Sequence, residues 1–254
     1  MLKKEIVIIA AAFFLTSLTM ITGVYAIEEK AKTVTILKEE TDITGDGQNE
    51  VIYLLGVPYQ NKDSYLKKIY IEIAASNGKR YKIPFESGSK ASLRLADLNH
   101  DGGKDLFVSV QTGGKSGITI NYLYSLKDFI CKNLTVPEPL EVESGFVDGY
   151  KANINIMETG KKYVFDLNDR KKYYKKLGLY HNGKLNEPTE LTVNPYSTLI
   201  PIPIKGEEMG LKGIQRITGI ANADTIGYVE SSWINVDGKW KLVNADVQKD
   251  IAQK

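Results

Sequence analysis

The sequence predicts a mainly β protein, and three observations support this fold class. Short runs rich in β-branched and aromatic residues recur along the chain, as in residues 51–55 and 106–111. Sharp-turn signals such as Asn77-Gly78 separate neighbouring runs. Two acidic stretches, loop 1 (residues 42–50) and loop 2 (residues 97–105), are each followed directly by one of these apolar runs. The chain therefore alternates strands with turns, and each acidic loop leads into a strand.

Residues 1–26 have the pattern of a secretory signal peptide. Lys3 and Lys4 precede an apolar stretch, and Val24-Tyr25-Ala26 has the spacing of a signal-peptidase site. The sequence predicts cleavage after Ala26 and a secreted or cell-envelope location. The alternative is an uncleaved N-terminal anchor, since the apolar stretch approaches the roughly 20 residues that span a bilayer. The protein would contact a membrane only in that case.

Residues 32–134 are predicted to form a β domain that contains both acidic loops. Its predicted strands are residues 33–38, 51–55, 68–74, 81–85, 92–95, 106–111 and 118–126. Pro137 and Pro139 mark the end of this domain, because proline interrupts helices and central strands alike.

Residues 140–250 are predicted to form a smaller β-rich or α+β region. The predicted elements are strands at 151–157, 161–165, 215–220 and 228–235, a short helix at 168–176 and a hairpin turning at 236–238 into a strand at 239–243. The polar and proline-rich residues 186–203 are expected to form a long ordered loop or a sheet edge. Residues 166–170 contain acidic and amide side chains, but Arg170 would repel a cation there, so we exclude a third metal loop.

Loops 1 and 2 have oxygen-bearing side chains at the alternate positions from which a calcium ion takes its ligands. Positions 1, 3, 5 and 9 offer side-chain oxygens, and position 7 offers a backbone carbonyl. The predicted ligands of Ca²⁺ are Asp42, Thr44, Asp46, Gln48 and Glu50 in loop 1, and Asp97, Asn99, Asp101, Gly103 and Asp105 in loop 2. Loop 1 is predicted to be the weaker site, since a neutral threonine stands where asparagine or aspartate is usual.

The remaining loop positions fit a sharply turned backbone. Glycine stands at position 6 of both loops, where the turn requires it. Position 4 is Gly45 in loop 1 and His100 in loop 2, and histidine is enriched among non-glycine residues at positive φ. Position 2 is apolar in both loops, Ile43 and Leu98. We therefore expect each loop to have one side chain anchored in a core while its acids face outward.

The pattern after each loop distinguishes it from an EF-hand. Position 12 is Tyr53 or Val108 rather than the glutamate of an EF-hand, and strands follow instead of helices. Across about residues 34–126 the pattern resembles the calcium loops of FG-GAP and VCBS repeats, the family of integrin-type propeller blades. This resemblance implies partial, propeller-like antiparallel sheets that hold Ca²⁺ in loops between strands.

Two loops are too few for a closed propeller, which needs at least about four blades. The sequence therefore predicts a partial or two-unit assembly. The alternative for both loops is a turn rich in aspartate, asparagine and glycine that binds no metal, since these residues form turns for local backbone reasons.

The remaining chemistry favours binding over catalysis, and we predict no catalytic residue. The chain has two histidines, His100 and His181, too few for a zinc cluster, and it has no G-x-S-x-G motif. A formal net charge of +2 gives no reason to expect a nucleic-acid partner. The predicted function is a calcium-binding module for an unknown cell-surface protein or glycan. The alternative is a secreted hydrolase whose calcium is structural.

Two other residue types bear on stability and recognition. Cys131 is the only cysteine, so the chain cannot form an intramolecular disulfide, and Cys131 is predicted to be a small buried side chain. The 15 tyrosines are candidates either for a stacking surface or for half-buried positions in sheets.

Overall fold

The computed structural model describes residues 32–60, 64–112 and 118–250. The chain divides into two compact units, Met1–Lys32 and Thr33–Lys254, and the architecture below is that of the second unit. The predicted signal peptide, residues 1–26, lies outside the described residues. Within the described residues, no helix is both long enough and apolar enough to cross a membrane.

The first sheet is a four-stranded antiparallel meander whose strands pair in chain order. Its strands are β1 (Val34–Thr41), β2 (Glu50–Pro58), β3 (Leu66–Ala74) and β4 (Arg80–Phe85). Along β2 every second residue is buried, including Ile52 and Leu54. This alternation is the period of two expected for a strand with one face against a core.

The second sheet repeats the same arrangement. Its strands are β5 (Lys90–Ala96), β6 (Asp105–Gln111), β7 (Thr119–Ser125) and β8 (Lys132–Leu134), again paired in chain order. A 3₁₀ turn, Lys127–Phe129, lies between β7 and β8. In both meanders the acidic loop connects the first strand to the second, so the two loops occupy equivalent places.

The C-terminal part is built from three further sheets. Their strands are β9 (Val142–Val147), β10 (Lys151–Ile156), β11 (Lys162–Asp166), β12 (Tyr180–His181), β13 (Lys184–Leu185), β14 (Thr192–Lys205), β15 (Glu208–Thr218), β16 (Thr225–Val236) and β17 (Lys239–Lys249). The sheet orders are β11-β10-β9, β12-β13 and β14-β15-β16-β17. A 3₁₀ turn, Asn168–Arg170, leads into helix α1 (Lys171–Lys176).

Two hydrophobic clusters hold these sheets together. The first cluster lies between the meanders and includes Ile52 of β2 and Val108 of β6. The second cluster contains Phe107 of β6 together with Ile154 of β10 and Leu211 of β15. Because Phe107 and Val108 point to opposite faces of β6, the second meander is covered on both faces and forms the middle layer.

Helix α1 is attached to the C-terminal sheet by a buried ionic contact. Arg170 Nη1 donates to Asp224 Oδ1 over 2.6 Å, and the Tyr174 hydroxyl donates to Asp224 Oδ2 over 3.0 Å. Burial and the neighbouring Asp224 carboxylate raise the pKa of Tyr174. Arg170 therefore has a structural role.

The prediction of a mainly β fold is confirmed, and the sheets are open antiparallel sheets, none of them closed. The edge alternative for residues 186–203 is also confirmed from Thr192 onward, since β14 lies at the edge of its sheet. Pro201 and Pro203 are tolerated in β14 because an edge strand leaves half of its N–H groups unpaired. The prediction for Cys131 is wrong, because this residue is exposed beside the short edge strand β8.

Candidate metal centre

The first residue of each loop accepts the backbone N–H of the glycine at position 6. The Gly47 N–H donates to Asp42 Oδ2 over 2.9 Å, and the Gly102 N–H donates to Asp97 Oδ2 over 3.0 Å. Burial opposes ionisation of Asp42, but the backbone N–H groups around it lower its pKa overall. Each carboxylate therefore gathers the N–H groups of its own loop.

The predicted backbone turn is confirmed at positions 4 and 6. Gly45 and Gly47 have φ of 78° and 84°, and His100 and Gly102 have φ of 60° and 81°. These are left-handed conformations that glycine adopts without strain and that histidine tolerates. Both loops consequently turn at the same two positions.

Positions 5 and 7 also correspond. The Gln48 N–H donates to Asp46 Oδ1 over 2.8 Å, and the Gly103 N–H donates to Asp101 Oδ1 over 2.9 Å. Asp46 and Asp101 are exposed, whereas Gly103 is buried. The two loops thus share the hydrogen bonds from position 6 to position 1 and from position 7 to position 5, but Asp42 Oδ1 accepts the N–H groups of positions 3 and 4 whereas Asp97 Oδ1 accepts that of position 5.

In loop 1, both carboxylate oxygens of the residue at position 9 accept hydrogen bonds from the protein. Glu50 is fully buried, and its Oε2 accepts the N–H groups of Ile43 and Thr44 over 3.0 and 3.3 Å. Its Oε1 accepts the Ser76 N–H over 3.2 Å. The Ser76 hydroxyl in turn donates to Asp46 Oδ2 over 2.8 Å. Ser76, which no sequence motif identifies, therefore closes loop 1.

Position 9 of loop 2 lacks such a closure. Asp105 is fully buried, and its Oδ2 accepts the N–H groups of Leu98 and Asn99 over 2.9 and 3.0 Å. Its Oδ1 is buried and has no hydrogen-bond partner in the described part of the chain. Burial, together with the charges of Asp101 and Asp97, raises the pKa of Asp105 to about 6.

Position 3 also differs between the loops. Asn99 Oδ1 accepts the Asp101 N–H over 3.0 Å, and Asn99 Nδ2 donates to Asp101 Oδ2 over 2.9 Å. Thr44 is buried, and within the described residues its Oγ1 has no hydrogen-bond partner. Each loop therefore contains one buried oxygen without a donor, a carboxylate oxygen in loop 2 and a hydroxyl oxygen in loop 1.

The apolar residue at position 2 anchors each loop, as predicted. Ile43 is 1% exposed in the cluster between the meanders, and Leu98 is 0% exposed in the second cluster. The accompanying prediction that the acids face outward is wrong for Glu50 and Asp105, which are buried. They face inward because the ninth residue begins the next strand and bonds the backbone at positions 2 and 3.

The two loops lie side by side, with Lys127 between them. A β-carbon added at Gly45 would lie 2.5 Å from Lys127 Nζ, and one added at Gly102 would lie 4.0 Å from the same atom. The Asp128 N–H donates to the Thr44 carbonyl over 3.0 Å, and Lys104 Nζ donates to Thr41 Oγ1 over 3.1 Å. The 3₁₀ turn after β7 thus fixes loop 1 beside loop 2.

Loop 2 also contacts the C-terminal sheet. His100 Nε2 lies 2.9 Å from the Met209 carbonyl, and His100 Nδ1 lies 3.7 Å from Glu208 Oε1. The hairpin between β14 and β15 therefore packs against the fourth position of loop 2.

In the part of the chain that the structure describes, no three or more His, Cys, Asp or Glu side chains form a group that could hold a metal ion. The hydrogen bonds explain this finding, because most loop carboxylate oxygens point at backbone N–H groups. The predicted ligands nonetheless lie in two adjacent loops, and two of their oxygens are buried and unpaired among the described residues, the neutral Thr44 Oγ1 and the carboxylate oxygen Asp105 Oδ1. This oxygen fits a hard metal ion.

The other candidate groups are dispersed. His181 is exposed and its ring contacts Asn182, with Asn182 Nδ2 lying 3.2 Å from His181 Nε2. Among the tyrosines, Tyr174 and Tyr180 are buried, whereas Tyr59 and Tyr173 are exposed. The tyrosines are thus divided between core and surface positions.

The fold and the two loops define a class of protein made of open β-sheets. In this class two antiparallel meanders, each with an acidic loop, are joined to a C-terminal set of sheets. The family model described as the YybI C-terminal domain matches residues 140–248. The chain is also similar to a protein of Bacillus subtilis (strain 168) named "Uncharacterized protein YybI". The two are 27% identical over 203 residues, which cover 77% of this chain and 78% of that protein.

These comparisons correct the family resemblance inferred from the loops. No FG-GAP or VCBS repeat family matches the chain, whereas the YybI C-terminal domain and a YybI protein do. The assignment to FG-GAP and VCBS repeats is therefore wrong. Its basis was two stretches of nine residues, and aspartate, asparagine and glycine form similar turns in unrelated proteins.

Proposed function

We propose that the protein is an exported, calcium-binding β protein that acts as a binding or scaffolding module at the cell surface or outside the cell. The observation that supports this proposal is the buried Asp105 Oδ1, which has no hydrogen-bond partner among the described residues. A buried carboxylate oxygen without a donor is costly unless a cation or a proton completes it. Loop 2 is the place where a bound cation would remove this cost.

The charges around Asp105 favour a divalent cation over a proton at neutral pH. Asp97 and Asp101 belong to the same loop and act on Asp105 electrostatically. Three carboxylates in one loop repel each other, and a divalent cation converts that repulsion into attraction. Calcium takes six to eight oxygen ligands in flexible geometry, which suits a loop with carboxylate, amide and carbonyl oxygens. Mg²⁺ would substitute poorly because it requires a smaller octahedral shell.

Loop 1 is the weaker candidate in this proposal. Its unpaired oxygen, Thr44 Oγ1, is neutral, and Glu50 already has protein donors on both carboxylate oxygens. Calcium in loop 1 would have to compete with the N–H groups that Glu50 accepts. As part of the same proposal, the two meanders are propeller-like units of a partial assembly. This view is supported because both meanders pair four strands in chain order and both have an acidic loop between the first and second strands.

Export is the second part of the proposal, and it rests on residues 1–26. We expect the mature chain to begin at Ile27, because the sequence Val24-Tyr25-Ala26 suits signal peptidase. Mass spectrometry of the secreted protein tests this directly. Recovery of the full-length chain exclusively in membranes would support the uncleaved anchor instead. The partner we propose is another protein or a glycan of the cell surface.

Thermal unfolding with and without calcium tests the metal. Calcium that binds only the folded state must stabilise it, by about 2.7 kcal/mol when free metal is 100 times its dissociation constant. The melting temperature should rise in millimolar Ca²⁺ relative to chelator, and rise much less in equal Mg²⁺. Identical melting curves in chelator and calcium would refute calcium binding and reduce both loops to ordinary turns.

The hydrolase alternative has its own test. Its one nucleophile-activating candidate is His181, which is exposed. Esterase, protease and glycosidase substrates should give no turnover that depends on His181. Activity that disappears in a His181→Ala variant would replace the binding proposal with the hydrolase.

A further inference from the structure

A groove of about 880 Å³ lies away from the two loops, where the first strands of both meanders approach the large C-terminal sheet. Lys90 of β5, Ser197 of β14 and Arg216 of β15 are among the residues that line it. Its volume falls in the range of small-molecule sites, which is about 300 to 1,000 Å³. The groove is therefore large enough for an organic ligand.

Among the described residues that line the groove, the two charged ones are both basic. Arg216 is half-buried, and neither Arg216 nor Lys90 has a carboxylate within ion-pairing distance among the described residues. Glu230, two residues along β16 from the Tyr228 that pairs with Arg216, is already paired with Lys212 over 2.8 Å. A half-buried guanidinium without a counterion favours binding of an anion.

Hydroxyl groups complete the polar part of the groove. Ser92 and Ser109 face each other across the β5–β6 pair, and Thr119 follows on β7. Ser109 Oγ lies 2.7 Å from Asn121 Oδ1, so its hydroxyl proton points at that amide while its lone pairs are available to a donor. Ser92 is exposed and free to rotate toward a bound oxyanion.

The opposite wall is apolar. Val34 and Ile36 of β1 are 43% and 36% exposed, and both line the groove with Leu66. Tyr228 lies beside Arg216 in the β15–β16 register and presents a ring to the same space. A ligand that fills this groove must therefore have an anionic part for the basic residues and a less polar body for this wall.

We propose that this groove binds a phosphate ester, with its phosphate between Arg216 and Lys90 and its hydroxylated body along the serine-lined strands. A guanidinium holds a phosphate through two parallel hydrogen bonds, and hydroxyl donors can occupy further oxygens of the tetrahedral anion. The apolar wall and Tyr228 pack against the body, as aromatic rings do against sugar faces. The site uses no residue of loop 1 or loop 2, so it is independent of calcium binding.

Calorimetric titration with three probes tests the proposal, in chelator because phosphate and Ca²⁺ precipitate together. The probes are glucose 1-phosphate, inorganic phosphate and glucose. We expect glucose 1-phosphate to bind more tightly than inorganic phosphate and glucose to give no heat of binding. Arg216→Gln should weaken binding of glucose 1-phosphate about tenfold, the value of one charge-assisted contact. Arg216→Lys, which keeps the charge but loses the bidentate geometry, should weaken binding less.

A matched control keeps the result interpretable. Arg94 is exposed on the same strand as Lys90 but does not line the groove. The Arg94→Gln variant should therefore leave binding unchanged. Circular dichroism melts establish that every variant is folded in the titration buffer. Equal binding of glucose and glucose 1-phosphate, equal losses in the Arg94 and Arg216 variants, or no binding of either phosphate by folded protein would each overturn the proposal.

Discussion

Loop 1 and loop 2 have the same length, the same turn positions and the same place in their meanders, yet they end differently. In loop 1 the ninth residue is Glu50, whose Oε1 accepts the Ser76 N–H over 3.2 Å. In loop 2 the ninth residue is Asp105, whose Oδ1 is buried without a partner among the described residues. One motif can therefore have every carboxylate oxygen at position 9 bonded by the protein in one copy and keep a buried, unpaired carboxylate oxygen in the other.

The length of the ninth side chain helps explain the difference. Glutamate has one methylene more than aspartate, and Glu50 reaches the backbone beyond β3, where Ser76 lies. Val51, which follows Glu50, pairs with Ala74, and Leu106, which follows Asp105, pairs with Tyr124. Two residues further along each chain segment, Leu126 therefore has the position that Ser76 has in the first meander. Leu126 has a backbone N–H but no hydroxyl, so the hydrogen bond from Ser76 Oγ to Asp46 has no counterpart at Leu126, and the shorter Asp105 carboxylate does not accept the N–H at this position.

Removal of Glu50 should have the largest effect on stability. Glu50→Ala leaves the N–H groups of Ile43, Thr44 and Ser76 without their acceptor, and we expect a loss of about 3 kcal/mol or more. The loss should be equal in chelator and in calcium, because loop 1 is closed by protein groups. Urea unfolding in both buffers measures it. Glu39→Ala, on the exposed surface of β1, is the matched control and should change stability by less than about 0.5 kcal/mol.

An effect of pH on the metal-free protein should be smaller and should come from loop 2. Because the pKa of Asp105 is raised to about 6 in the folded state, above its usual 3.8, the folded protein binds this proton more tightly than the unfolded chain. In chelator, stability should therefore increase as the pH falls from 7 to 5, by about 1 to 2 kcal/mol.

The Asp105→Asn variant is the control for that pH dependence. It keeps an acceptor for the Leu98 and Asn99 N–H groups but cannot titrate. The carboxyls of Asp166 and Asp246 have lowered pKa values, so they affect stability at pH values below this window. Urea unfolding at pH 5 and 7 should show the increase in wild type and not in the variant. An equal increase in both proteins would show that Asp105 is not its source.

The Ser76 hydroxyl should contribute least. Ser76→Ala removes the hydrogen bond to Asp46 Oδ2 but keeps the Ser76 N–H that Glu50 accepts. We expect a loss of about 0.5 to 1 kcal/mol in chelator, because the lost bond is exposed. Thermal melts measure this change, and the calcium-dependent shift should remain. A complete loss of that shift in the Ser76 variant would mean that loop 1 is the main metal site.

Much of the local structure could be predicted from the sequence. Runs rich in β-branched and aromatic residues predict β2, β3 and β6 within a few residues, and glycine and histidine predict the positive-φ positions at which both loops turn. These features depend on residues that are close together in the chain, so they can be predicted from the sequence. The short strand β8 was missed because three residues carry no periodic pattern.

The closure of the site could not be predicted in the same way. Ser76 meets Glu50 and Lys127 meets Gly45 only after strands pair, and these contacts join residues 26 and more positions apart. The prolines of the long strand β14 are typical both of loops and of edge strands, so the sequence does not distinguish the two. The family resemblance failed for a related reason, since a short loop motif reports local turn geometry rather than the identity of the whole chain.

Calorimetric titration of Ca²⁺ into wild type and two matched variants, Asp105→Asn and Glu50→Gln, tests most directly whether loop 2 is the calcium site. Both substitutions replace a buried carboxylate at position 9 by the amide of equal length, so they differ in the loop they change. We predict that Asp105→Asn abolishes the strongest calcium-binding step and its melting shift, while Glu50→Gln retains both. Retained binding in Asp105→Asn together with lost binding in a folded Glu50→Gln variant would contradict the account.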